Sequence, residues 1–175
     1  MPPHCDALDG PVVKAATRAL DAQDVDLVLP YVKTEGEDEV RAAFTRAVKA
    51  RQAPDAREVA DLYFFETVVR VHRRGEGAPY TGLKPAGLDV GPVIPAAERA
   101  IESGSPDELS TLLIDELRHE VKHRFDEVMV LQRHAGGPVP EARAYVEAML
   151  GLQVWSHGLY LGMQASPHGE GEHER

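Results

Sequence analysis

A twelve-residue segment near the start of this chain has a similar counterpart near mid-chain, and the likeness restricts the folds open to it. Gly10-Pro11-Val12-Val13-Lys14-Ala15-Ala16-Thr17-Arg18-Ala19-Leu20-Asp21 returns near mid-chain as Gly91-Pro92-Val93-Ile94-Pro95-Ala96-Ala97-Glu98-Arg99-Ala100-Ile101-Glu102. Without a gap, the same offset pairs Glu39 with Glu120, Val40 with Val121 and Phe44 with Phe125. Self-similarity at this distance signals a duplicated structural unit.

The repeated unit reads as helical. Val12, Val13, Ala16, Ala19 and Leu20 fall on one face at helical spacing, with Pro11 suited to a first turn. Asp24 reads as an N-cap for a short helix over 25–29, which Pro30 interrupts. A second helix resumes around Glu37, with Val40, Phe44, Ala47 and Val48 as its inner stripe. After a turn at Ala53-Pro54-Asp55, a third runs from about Asp55 to Arg74, its apolar face assigned to Val59, Leu62, Tyr63, Phe65, Val69 and His72. In the second copy, Ser105-Pro106-Asp107-Glu108 opens a helix to about Arg133, and the last runs from about Pro140 to Gln164. The expected fold is all-α: a helical bundle from a duplicated three-helix unit with pseudo-two-fold symmetry. It forms one domain over 1–165, with halves at about 10–75 and 91–164. Residues 76–90 are too rich in Gly and Pro for a helix and read as an ordered loop, and 166–175, with His168 and His173, as a disordered tail.

Composition narrows function mainly by exclusion. A net charge of −10 argues against nucleic acid, whose phosphates need clustered Lys and Arg. No apolar run reaches membrane-spanning length and no signal-peptide core precedes the first helix, so the expected location is the cytoplasm, with a homo-oligomer possible.

Chemistry gathers before the first repeat. Cys5, the one cysteine, sits between His4 and Asp6, whereas the matching stretch of the second copy, Lys84-Pro85-Ala86, carries no ligand-type side chain but the lysine. Adjacent thiolate and imidazole suit nickel, copper, zinc or iron. A third ligand follows from lengths. If the second helix of a unit spans about 28 residues, it is about 42 Å long, and an antiparallel first helix of about 18 Å starts near its mid-height. His72, about 27 Å along the returning third helix, then reaches that level. The expected metal site is His4, Cys5 and His72.

Weaker candidates surround it. Glu66 lies nearly two turns from His72, and Asp9 suits the helix dipole. Glu116-Leu117-Arg118-His119-Glu120-Val121-Lys122-His123 holds two overlapping Glu-x-x-His spacings, but a di-iron bundle needs a second motif elsewhere. His157, after Trp155, reads as a partly buried histidine. Three functions compete. The first is transition-metal binding for redox chemistry, metal handling or sensing, with nickel or copper ahead of zinc or iron; as an enzyme it would be a metal-dependent oxidoreductase. The second is a non-catalytic helical interaction module, and the third a thiol-dependent enzyme using Cys5.

Two resemblances attach to these residues. His4-Cys5-Asp6-Ala7-Leu8-Asp9-Gly10-Pro11, with Phe65-Glu66-Thr67 and the loop from Gly75 to Gly87, resembles an uncharacterised bacterial all-helical family. His4-Cys5-Asp6 with Gly10 is also similar to the nickel hook of nickel superoxide dismutases, helical bundles beginning His-Cys-Asp-Leu-Pro-Cys-Gly. That resemblance implies nickel at His4 and Cys5. Asp9 stands where that family has its second thiolate, and Met1-Pro2-Pro3 precedes the histidine whose free amine the hook uses.

Overall fold

The computed structural model describes residues 3–165. The expectation for the tail, including His168 and His173, lies outside them. The chain divides into two compact units, Met1–Pro95 and Ala96–Arg175. Among the described residues are six α-helices: α1 (Pro11–Ala22), α2 (Thr34–Ala50), α3 (Arg57–Gly75), α4 (Val93–Ser103), α5 (Asp107–Gln132) and α6 (Val139–Gln164). Among the described residues there is no strand, only an isolated bridge between Ala7 and Lys84, and no helix is long and apolar enough to cross a membrane. The fold is all-α.

In the first unit, α1 inserts between its neighbours because one face is wholly apolar and narrow. Val12, Val13, Ala15, Ala16, Ala19 and Leu20 are all buried. They meet Val40, Ala43 and Ala47 of α2 and Phe64, Val68, Val69 and Val71 of α3 in one core. Phe64 stacks edge-on against Phe44 with centroids 5.5 Å apart. Gly36, in the first turn of α2, is required by proximity: a Cβ there would stand 2.3 Å from Val71 Cγ1.

Three local expectations need correction. The segment after Asp24 forms two 3-10 turns, Val25–Leu27 and Leu29–Tyr31, because Pro30 lacks the N–H an α-helix needs; Asp24 still caps the first by accepting from Asp26 N–H at 3.0 Å. The second helix starts at Thr34, before Glu37, and has 17 residues instead of about 28. The buried face of α3 is Ala60, Phe64, Thr67, Val68 and Val71, with Val69, while Val59 is 70% exposed and Leu62 and Tyr63 are also exposed. Adjacent aromatics left the phase of that face ambiguous, and Phe64, not Phe65, is the one fully enclosed.

In the second unit, α5 and α6 have 26 residues each and pack as a hairpin across a short turn. The short turn makes the pair antiparallel, and Arg124 lies over the Trp155 ring at 4.5 Å across their contact. Three α-helices follow three, with unequal lengths: the interruption at Pro30 has no counterpart in α5.

Candidate functional site

The N-terminal segment is held from two sides within the first unit. Residues Pro3–Asp6 form a 3-10 turn, and Gly10 N–H donates to Ala7 O at 2.8 Å before α1 begins. The loop after α3 runs alongside: Lys84 N–H donates to Asp6 O at 2.8 Å, and Leu8 N–H donates to Lys84 O at 3.0 Å. Asp9 Oδ2 accepts from Gly87 N–H at 2.8 Å. Asp9 therefore pins the loop instead of capping α1, whose N-cap residue is Gly10.

The last turn of α3 supplies the side chains. Arg73 Nε donates to Asp6 Oδ1 at 2.7 Å, with both side chains about 5% exposed or less. Its Nη1 reaches Glu76 Oε2 at 3.2 Å. Glu76 lies just past α3 but keeps right-handed helical angles (φ −85°, ψ −4°), so its side chain continues the face occupied by His72 one turn earlier. Glu76 Oε1 stands 3.3 Å from His72 Nε2. The opposite ring nitrogen, Nδ1, is 2.7 Å from Tyr31 O. Cys5 packs against the core beside this chain of contacts. Burial pushes its thiol pKa up; the positive charge of Arg73 opposes the rise, and the carboxylates of Glu76 and Asp6 add to it.

The histidine geometry is chemically specific. A carbonyl oxygen only accepts, so the Tyr31 contact requires the proton on Nδ1. In the neutral ring the lone pair is then on Nε2. That atom is buried, and although Glu76 is near, no hydrogen bond of good geometry satisfies it.

The three predicted ligands are distributed unevenly. His4 and Cys5 share the half-buried N-terminal turn, and the α3 turn carrying His72 reaches it, through Arg73 and Asp6. Among the described residues, no three His, Cys, Asp or Glu side chains stand together as a ready-made metal site. Sequence reasoning missed Glu76 and Arg73. The signal for Glu76 was its four-residue spacing from His72, obscured because Gly75 and Gly77 marked it as loop. Arg73 carried no local signal, since its partner lies at the other end of the unit.

The remaining candidates stay outside this network. Glu66 is exposed and raises the pKa of the Tyr80 phenol, already lifted by burial. His119 and His123 are exposed on α5, their rings parallel with centroids 6.5 Å apart. The flanking cations are engaged by acids: Arg118 by Asp115, Lys122 by Asp126 and Arg124 by Glu120. His157 is exposed, contrary to expectation, because α6 turns it away from the line along which α5 packs. A cleft of about 350 Å³ lined by Lys33, Glu35, Gly36, Val71 and Arg74 opens by the same end of α3. Its Arg74 is held by Glu39 at 2.8 Å.

Residues 9–155 match the sequence profile of a family described only as a family of unknown function (DUF6448). No curated protein and no solved structure matches the chain.

Proposed function

Since the chain belongs to the family of unknown function DUF6448, we propose a function from the chemistry of the site: binding of a transition-metal ion by Cys5 and His72, with His4 and Glu76 completing the donor set. The orientation of His72 carries this reading. Metal-ligating histidines characteristically donate their second ring N–H to a carbonyl or carboxylate, which fixes the tautomer and the ring plane. His72 does so through Tyr31 O, and its Nε2 is left buried, facing a carboxylate oxygen 3.3 Å away. In the neutral ring two acceptors oppose each other there, and a cation relieves that repulsion. Cys5 adds a soft donor once its proton is displaced. Thiolate with imidazole places nickel or copper ahead of zinc and iron. The role is redox chemistry, metal handling or sensing.

The purified protein should take up one equivalent of Ni²⁺ or Cu²⁺ at pH 7.5, with a sulfur-to-metal charge-transfer band. Cys5→Ser should abolish the band, and His72→Ala should remove the ion. Uptake unchanged in both variants, or no uptake by the wild type, overturns the reading.

A second reading, a non-catalytic helical interaction module, draws support from the apolar surface of α5 and α6, and predicts no metal. Duplication of a three-helix unit belongs with these proposals, supported by the repeated Gly-Pro-Val segments. A thiol-dependent enzyme fits poorly with Cys5, because burial keeps its thiol protonated and activation needs the opposite shift.

A further inference from the structure

The second unit exposes large apolar residues along both helices of its hairpin. Along α5, the residues not fully exposed are Leu109, Leu112, Leu117, Glu120, Arg124, Val128 and Leu131, and along α6 they are Ala142, Tyr145, Ala148, Met149, Leu152 and Trp155. They mark the line where the two helices meet. Beside it runs a second stripe on α5 (Ile114, Val121, Phe125, Met129) and another on α6 (Val146, Leu150, Val154), each residue 41–71% exposed. The spacing is four and four on α6, and on α5 seven, four and four, with the exposed Arg118 standing on the same face between Ile114 and Val121. Both stripes are displaced in the same rotational sense from the contact line. In an antiparallel pair that puts them on one side of the hairpin.

We propose that this side docks against the same side of a second copy of the chain, closing two hairpins into a four-helix bundle. Size is the first argument. Two helices of 26 residues are each about 39 Å long and lie about 10 Å apart, so the face measures roughly 800 Å². That is what each partner of a stable dimer buries. Shape is the second. A hairpin is a single layer and encloses no core, while an identical hairpin supplies matching length and a self-complementary surface under two-fold symmetry. Charge argues against an anionic membrane as occupant. Interfacial helices need free Lys and Arg around their apolar face. Here Arg118, Lys122 and Arg124 are each paired with an acid on α5, and the chain carries a net −10.

Sedimentation equilibrium of the full chain, with metal removed, should show a dimer at micromolar concentration. Phe125→Asp with Leu150→Asp should raise the dissociation constant at least 100-fold and leave the helical circular dichroism unchanged, because both residues are exposed in the single chain. Hydroxyl-radical oxidation of Met129 in the wild type should slow several-fold between dilute and concentrated protein, a readout needing no variant. A wild type monomeric at 100 µM, a double variant that dimerises as before, Met129 oxidation independent of concentration, or an open-ended assembly would each overturn the proposal.

Discussion

Arg73 and Asp6, 67 positions apart, form a buried ion pair at 2.7 Å that ties the N-terminal turn to the end of α3. Each charge needs the other. The guanidinium is 4% exposed, and its second carboxylate, Glu76, is a longer contact at 3.2 Å. Asp6→Ala should therefore cost about 1–3 kcal/mol, because the buried guanidinium loses its carboxylate partner at 2.7 Å. The double variant Asp6→Ala/Arg73→Met should lose less than the sum of the single losses. Urea unfolding of the three variants measures this, and simple additivity would mean that the pair is not coupled.

This pair also shows what the sequence could reveal. Helices α1, α5 and α6 were legible almost to their ends, because the helical period and the flanking Pro and Gly act locally. The phase of α3 was not, since Tyr63, Phe64 and Phe65 are consecutive and only tertiary packing selects Phe64. At the site, His4, Cys5 and His72 were singled out by residue type, and the end of α3 does lie against the N-terminal turn, through Arg73 and Asp6. The assumed length of about 28 residues for the second helix does not hold, since α2 has 17, so helix length is not what brings the end of α3 there. What bridges the two segments, Arg73 with Glu76, depends on long-range contacts that no periodicity encodes.

Gly10 holds the N-terminal turn against α1 by having no side chain. A Cβ there would stand 2.1 Å from His4 O and 3.0 Å from Ala7 O, both backbone atoms that cannot rotate away. Its own dihedrals (φ −77°, ψ 167°) suit any residue, so space alone demands glycine. Gly10→Ala should push the turn outward at a cost of about 1–3 kcal/mol, as overpacking does. Thermal melting reads the loss, and faster labelling of Cys5 reads the displacement. A variant with unchanged melting and labelling would show that the turn moves freely.

Tyr80 gives the unit an alkaline limit. Its hydroxyl is buried without a hydrogen bond, Leu83 falling short of the required geometry, and burial followed by the Glu66 carboxylate raises its pKa above the ordinary 10. A raised phenol pKa means that the folded state retains a proton the unfolded chain releases. The contribution is intact below about pH 10 and is lost as pH rises through the folded value. Tyr80→Phe should flatten the decline of stability above that pH. Near neutrality it should be neutral or slightly stabilising, since it removes an unsatisfied buried group. Denaturant midpoints at pH 7 and at pH 10–11 test both halves.

Cys5 separates a metal ligand from a nucleophile. Its thiol is half-buried and its pKa is raised, by burial first, with Glu76 and Asp6 outweighing part of the help from Arg73. A thiol poised for catalysis alkylates faster than a free one, because thiolate is the reacting species. Cys5 in the metal-free protein should instead react with iodoacetamide at pH 8 about tenfold more slowly than a small-molecule thiol, given the smaller thiolate fraction and restricted access. Glu76→Gln removes one of the two raising charges and should speed the reaction, while Arg73→Met removes the lowering one and should slow the thiolate-dependent step unless the turn detaches. Circular dichroism and melting of each variant distinguish those cases. Bound Ni²⁺ should protect the thiol further, since the lone pair that attacks iodoacetamide is the one the metal would hold.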